Sequence, residues 1–340
     1  MNKAYFMGID LGTQSSFFVI KNETGERLVQ ARVSHDFSAV EKLVRPYLKA
    51  SCKAVMEATT SYYWMFETLQ TMGCKTVLAH PLKTRAIADA KVKNDRIDAN
   101  ILCDLLRADL IPQSYAPPPK IRALREITRQ HIRLTQARTK LKNQLHAILV
   151  KLNLRPTENY SDLFGVKGRQ WLRALSLPDV FEFQKQQLLD QIEYYNNLIS
   201  LTDKKMLVML KEYPQGELLK QIPGIGTLAS AMIIAEIGDI HRFPSPKKLV
   251  GYAGIAPGLY ESGKTSHSRG ITHQGSKFLR WILCEVTNIH IRKPGVLRSF
   301  YLRLKDKKGH GKALVATARK FLMQIYFTLK DSQVSTSLVG

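Results

Sequence analysis

The sequence predicts a mixed α/β domain at the N-terminus and a mainly helical remainder. Three observations carry that prediction. Short apolar runs that read as strands, among them AYFMGID and KAVMEA, are interleaved with helical patterns as far as residue 115. The run APPPK at 116–120 is a stiff break in composition and marks a domain boundary. Beyond it, apolar residues recur at helical spacing through long segments.

The elements follow in order. Residues 4 to 10 read as a strand, and FFVIKNETGERLVQARV as two strands around an Asn-Glu-Thr-Gly turn. A short helix is expected from Ser38 to Lys49. KAVMEA is a buried strand ending at Glu57, and SYYWMFETLQTMG an amphipathic helix closed by Gly73. CKTVLAH is another strand, after which Pro81 opens a helix. A three-strand meander followed by strands alternating with helices is the element order of an RNase H-like (RuvC-like) α/β fold. Its acids lie at the ends of the first and fourth strands and on a late helix.

That late helix is KVKNDRIDANILCDLL, residues 91 to 106. Asp95 and Asp98 are three apart and share a helix face. Ile97, Ile101, Leu102, Leu105 and Leu106 supply the buried stripe, and Lys91, Lys93 and Arg96 surround the acids. The ordinary reading of Asp95 and Asp98 is an N-cap and a dipole-favoured acid. Upstream, however, Asp10 in GIDLG and Glu57 in KAVMEA each end an apolar run. Four carboxylates meeting at one point repel unless a cation joins them. The expectation is therefore a divalent metal site for phosphodiester chemistry, with Mg²⁺ the ion that oxygen ligands suit.

After the linker, a helix from about Ile121 to Asn153 carries many cations against a single acid, Glu126. Arg122, Arg125, Arg129, Arg133 and Lys140 are the residues expected to hold a nucleic-acid backbone. A second long helix runs from about Phe183 to Tyr213. The two form either an antiparallel hairpin or a dimerising coiled coil. In LLKQIPGIGTLASAMIIAEIGDI, Pro-Gly-Ile-Gly between helical patterns resembles a helix-hairpin-helix turn. The Ser-, Gly- and His-rich run GLYESGKTSHSRGITHQGSKFLRWIL follows and becomes helical at Lys277. The last segment is helical and basic, and from residue 332 the tail reads as disordered.

The formal net charge is +23 over 340 residues, which favours a polyanionic partner, nucleic acid first. No apolar run is long enough to span a bilayer, so no membrane role is expected. The four cysteines show no C-x-x-C pair, which points to neither a zinc site nor a disulfide framework, and to a cytoplasmic, reducing compartment.

Two resemblances bear on function. GIDLGTQSS is similar to the first phosphate-binding turn of sugar kinases and actin-like ATPases, but the second glycine-rich loop of that family is missing. KNDRIDA and YESG, together with GID, ME, IPGIG, AGIAPGLYESG, HQGSKFLR and KALVATARKFL, resemble the DEDD transposases of bacterial insertion sequences. This is the IS one-ten family, relatives of the Piv DNA invertase. The resemblance spans nearly the whole chain. It implies a RuvC-like DEDD domain at 1–115, a basic coiled-coil linker at 116–214, a C-terminal transposase domain at 215–331 and a tail at 332–340. It assigns the acids to Asp10, Glu57, Asp95 and Asp98 and a nucleophilic serine to Ser262. Lys264, His267, Arg269 and His273 then stand near a reacting phosphate, and Lys264, Arg269 and Lys277 join the nucleic-acid-binding set. The implied partners are donor DNA, target DNA, a bridge RNA that pairs with both, and further copies of the chain as a homodimer or homotetramer. A transposase and a Piv-like invertase both satisfy these residues.

Overall fold

Alternating apolar residues build the first sheet. β1 (Ala4–Leu11), β2 (Ser15–Asn22) and β3 (Arg27–Ser34) form an antiparallel meander. The Asn22–Gly25 turn between the last two is closed by the Asn22 carbonyl, which accepts from the Gly25 N–H. Gly25 takes a φ of 87°, which a glycine adopts without strain. α1 (Phe37–Val44) is shorter than the sequence suggests, because Pro46 turns Arg45–Tyr47 into a tight 3₁₀ turn. β4 (Ser51–Glu57) then runs parallel to β1. α2 (Tyr62–Thr71) leads to β5 (Lys75–Ala79), parallel to β4. α3 (Pro81–Ile87), α4 (Asp95–Arg107) and the short β6 (Gln113–Ser114) complete the unit. The strand order is β3-β2-β1-β4-β5-β6.

This computed structural model describes residues 4–49, 51–59, 61–88, 94–156, 158–262, 265–272 and 274–337, with side chains except at 259–269 and 332–337. The chain divides into two units, 1–116 and 117–340.

The first unit has three layers. Met7, Ile9, Phe18, Met56 and Leu78 on one sheet face pack with Val40 and Val44 of α1 and with Met65, Phe66 and Leu69 of α2. Phe6, Val19, Val55 and Ala79 on the other face pack with Ala99, Leu102, Cys103 and Leu106 of α4. α4 lies very close to β1 at Gly8, where a Cβ would overlap the Ala99 carbonyl and the Cys103 backbone. The Cys103 thiol donates to the Phe6 carbonyl at 3.1 Å. Burial pushes that thiol up to about 11, against the pull of nearby Lys21, so it keeps its proton at neutral pH. Lys21 in turn reaches both Asp104 oxygens at 2.7 Å. Two cysteines that are distant in sequence meet here: Cys52 and Cys74 place their sulfurs 2.7 Å apart as free thiols.

The second unit is mainly helical. α5 (Pro119–Lys151) and α7 (Asp179–Leu210) pack antiparallel, with α6 (Val166–Ala174) between them in sequence. Lys120 pairs with Glu212 at one end, and Arg138 donates to Asn196 further along. At the far end Leu145, Ile148 and Leu149 meet Leu188, Leu189 and Ile192. Of the two arrangements open to the sequence, the chain adopts the intramolecular hairpin.

α8 (Gln215–Lys220) precedes α9 (Thr227–Ile237), whose residues from Ala229 to Ile237 are all buried. α10 (Pro246–Tyr252), the hairpin β7 (Pro257–Ser262) with β8 (Thr265–Ile271), α11 (Lys277–His290), α12 (Val296–Lys308) and α13 (His310–Ser337) follow. The Pro-Gly-Ile-Gly turn rests on α11: the Pro223 carbonyl lies 2.7 Å from His290 Nδ1, and Gly224 abuts the Val286 carbonyl. α13 is helical through Ser337 and so extends into the span read as a disordered tail. No proline or glycine between His310 and Ser337 stops it, apart from Gly311 in its first turn.

The close approach at Gly8 makes a prediction. Gly8→Val forces α4 off β1 and should lower the unfolding free energy by about 1–3 kcal/mol, as overpacking does. Gly251→Ala, whose added methyl meets open space on α10, should leave stability unchanged or slightly raised. Thermal and urea melts of the two variants check this.

Candidate active site

Strand register brings two of the four acids side by side. The parallel ladder pairs Ile9 with Met56, so Asp10 and Glu57 are the next residues on neighbouring strands. Ile9 and Met56 face α1 and α2, and alternation turns Asp10 and Glu57 to the α4 side. α4 runs antiparallel to β1. Its C-terminal turns lie near Lys21 and Phe6, and Ala99 lies over Gly8. Its first turn, with Asp95 and Asp98, therefore lies toward the Asp10 end. The Asn94 side chain caps that turn by accepting from the Arg96 N–H at 3.0 Å, which leaves the two aspartates free of the capping role the ordinary reading gave Asp95.

The acids are neighbours but not yet a closed ligand shell. Among the described residues no three His, Cys, Asp or Glu side chains are gathered as a metal site. Asp95 instead pairs with Arg32 of β3, Nη2 to Oδ2, at 2.6 Å. Lys91 and Lys93 lie outside the described residues.

Ser262 is the last residue of β7 and pairs in register with Thr265 of β8. Within the Ser-, Gly- and His-rich stretch the two strands thus form a β-hairpin. It is anchored at its base by the Thr272 N–H, which donates to the Ala256 carbonyl at 3.1 Å. The next turn is fixed by Gly275, φ 104°, where any side chain would collide with the Tyr252 carbonyl. The side chains of Ser262, His267 and Arg269, and all of Gly263, Lys264 and His273, lie outside the described residues.

Two family models match in series. A DEDD transposase model of the IS110 type covers residues 7–154. The model "Transposase IS116/IS110/IS902 family" covers residues 216–302. The chain belongs to the IS110/IS116/IS902 family of transposases. Among similar proteins, the transposase for insertion sequence element IS1328 of Yersinia enterocolitica is 24% identical over 86% of each chain. The transposase for IS1111A of Coxiella burnetii is 25% identical over 80% of this chain and 76% of its own. The mini-circle putative transposase for IS117 of Streptomyces coelicolor is 24% identical over 76% of this chain and 78% of its own.

A transposase of this family is an enzyme that cleaves and rejoins DNA. DEDD transposases use divalent metal ions, and the candidate donors, Asp10 and Glu57 on adjacent central strands and Asp95 and Asp98 in the first turn of α4, are all carboxylates, the oxygen ligands that such ions take. No helix among the described residues is long and apolar enough to cross a membrane.

For this transposase the reading of the long basic helix needs correction. Arg122 and Arg125 are each only 8% exposed. Arg125 donates to the Ala235 and Glu236 carbonyls at 2.5 and 2.9 Å. Arg129 forms a fork with Glu236, Nε to Oε1 at 2.9 Å and Nη2 to Oε2 at 3.1 Å, and lies over the Phe278 ring. Ser276, which caps α11, donates to the same carboxylate at 2.8 Å. Arg125 and Arg129 pin the buried end of α9 and Arg122 is buried beside them in sequence, so the charge of this part of the helix is turned inward and not presented to a nucleic-acid backbone. Arg133, Lys140 and Lys277 are exposed and keep that capacity. Sequence reasoning missed the Glu236 hub, yet a signal existed. One acid inside the apolar run AMIIAEIG must find a buried cation.

Removing one partner of that hub should be costly. Arg129→Ala strands the Glu236 carboxylate, which is 1% exposed, and should destabilise the transposase by about 3 kcal/mol. Arg133→Ala and Lys140→Ala should each cost less than about 0.5 kcal/mol. Denaturant titration of the three variants measures the difference.

Proposed function

We propose that the chain is an insertion-sequence transposase whose N-terminal unit is RNase H-like, and whose chemistry joins four acids to a serine nucleophile. One observation carries the reading. Asp10 and Glu57 are register neighbours on the sheet face that α4 covers, and the first turn of α4 carries Asp95 and Asp98. The strand order β3-β2-β1-β4-β5, antiparallel then parallel, supports the fold assignment.

In this mechanism Asp10, Glu57, Asp95 and Asp98 hold the divalent cation, Mg²⁺ by the hardness of the donors. When bound, it supplies Lewis-acid stabilisation of the entering and leaving oxygens. The Ser262 hydroxyl gives up its proton and attacks a DNA phosphorus. An O–P bond to the serine forms as a DNA P–O bond breaks, and the displaced DNA hydroxyl takes a proton. Attack by a DNA hydroxyl on that phosphoserine reverses the exchange and rejoins the strand. A serine hydroxyl is a weak nucleophile until a base or metal activates it, which is why both sets of residues are required.

Sequence choice is delegated to a bridge RNA in this reading, and the protein holds backbones. The net charge of +23 supports it, as do the exposed Arg133, Lys140 and Lys277 and the lysines Lys305, Lys307, Lys308 and Lys312 around the α12–α13 turn. Assembly as a dimer or tetramer is supported by Tyr194, Leu201 and Val208, exposed on α7 at a spacing of seven residues. Light scattering of the purified protein reads the oligomer. Inverted segments flanking the gene, in place of element ends, would favour the Piv-like invertase.

Two predictions follow from the chemistry. Asp98→Ala and Ser262→Ala should each abolish recombination while leaving the melting curve intact. Protease digestion of a trapped reaction should yield a Ser262–nucleotide adduct by mass spectrometry. A Ser262→Ala variant that cleaves at the wild-type rate would replace the serine step with a water-driven one. The protein should also co-purify with RNA at low salt, and binding should weaken steeply as salt rises, because counterions are released on association. Elution free of nucleic acid, with no RNA gel shift, would remove the guide-RNA reading.

A further inference from the structure

Asp95 already has a strong partner inside the protein. The Arg32 guanidinium meets its Oδ2 at 2.6 Å, a short charge-assisted contact. The sheet register dictates the pairing. Arg32 stands opposite Phe17, and Phe17 opposite Asp10, so Arg32 lies in the same cross-strand row as Asp10, two strands away. At about 4.8 Å per strand, two strands put the backbones roughly 10 Å apart, within reach of a long side chain. The guanidinium lies over the Phe17 ring at 5.9 Å, and its other nitrogen is 3.5 Å from Ser15 Oγ. Arg32 is therefore held at the rim of the acid cluster from the β3 side.

We propose that Arg32 is a built-in counter-ion that competes with the divalent cation for Asp95 and so sets the metal affinity of the acid cluster. The inference rests on the reading of the four acids as metal ligands. A carboxylate lone pair that accepts from a guanidinium is withheld from a metal. A positive charge at the rim also repels a second one. Among the described residues the acids are not gathered into a three-ligand site, while the Arg32–Asp95 pair is formed. A metal that takes Asp95 through Oδ2 must displace Arg32 from that oxygen, and one that takes Oδ1 still meets the charge of the guanidinium. Both side chains are about half exposed, 57% and 51%, so the exchange needs only side-chain rotation and no opening of the core. Arg32 acts through Asp95 and is a positioning residue rather than a catalytic one.

The test is calorimetric titration of Mn²⁺ into the full-length protein, read as a binding constant and independent of recombination. Wild type should bind Mn²⁺ saturably, and Asp98→Asn should abolish that binding. Arg32→Gln should bind about two- to fivefold tighter, the range an exposed ion pair is worth. Arg32→Lys, which keeps the charge, should stay within about twofold of wild type on the same scale. Equal or weaker binding by Arg32→Gln would overturn the competition and make Arg32 an aid to Asp95 orientation. Wild-type protein with no Mn²⁺ binding that Asp98→Asn removes would overturn the acid-cluster reading, and the Arg32 proposal with it.

Discussion

The seating of α4 on β1 is the contact on which the candidate site depends. It is possible because position 8 has no side chain, so the helix backbone approaches the strand to a distance that even a methyl group would forbid. The helix is then locked in register from both sides. Cys103 donates to the Phe6 carbonyl, and Lys21 grips Asp104. A helix held this way cannot slide or rotate without breaking a buried hydrogen bond or an ion pair. Its first turn is consequently fixed at the same end of β1 as Asp10. Neither aspartate has to cap the helix, because Asn94 does.

The second unit is governed by a different constraint, a carboxylate buried inside an apolar helix. Glu236 would be intolerable alone, and the fold answers it with Arg129, Ser276 and the backbone contacts of Arg125. One consequence reaches the site: Ser276 caps α11 just after the β7–β8 hairpin that carries Ser262 at the end of its first strand. The hub therefore ties α5, α9 and α11 together where the β7–β8 hairpin returns to the helices. A second consequence is electrostatic. Charge that looks available on the long helix is engaged inside at Arg125 and Arg129, while Arg133, Lys140, Lys277 and the lysines of the α12–α13 turn stay exposed.

The same physics explains why Arg32 was invisible before the fold was known. It sits in RLVQARV, an ordinary edge-strand pattern, 63 residues before its partner. Only the antiparallel register of three strands and the direction of α4 bring the two together. The Cys52–Cys74 contact has the same origin, since neighbouring parallel strands join residues 22 apart.

By itself the sequence determined the order and type of the elements, the break near residue 116, the acidic character of the first turn of α4 and the family. Those features are local: they follow from periodicity, turn residues and short motifs such as KNDRIDA and YESG. The tertiary structure decided what depends on pairing between distant segments. It made the long helices an intramolecular hairpin, turned the YESG stretch into a β-hairpin, buried Arg122 and Arg125, tied Arg129 to Glu236, and gave Asp95 to Arg32. The physical reason is that a charged side chain reads the same in sequence whether it faces water or a buried carboxylate. Its environment, not its identity, fixes whether the charge is free for a partner.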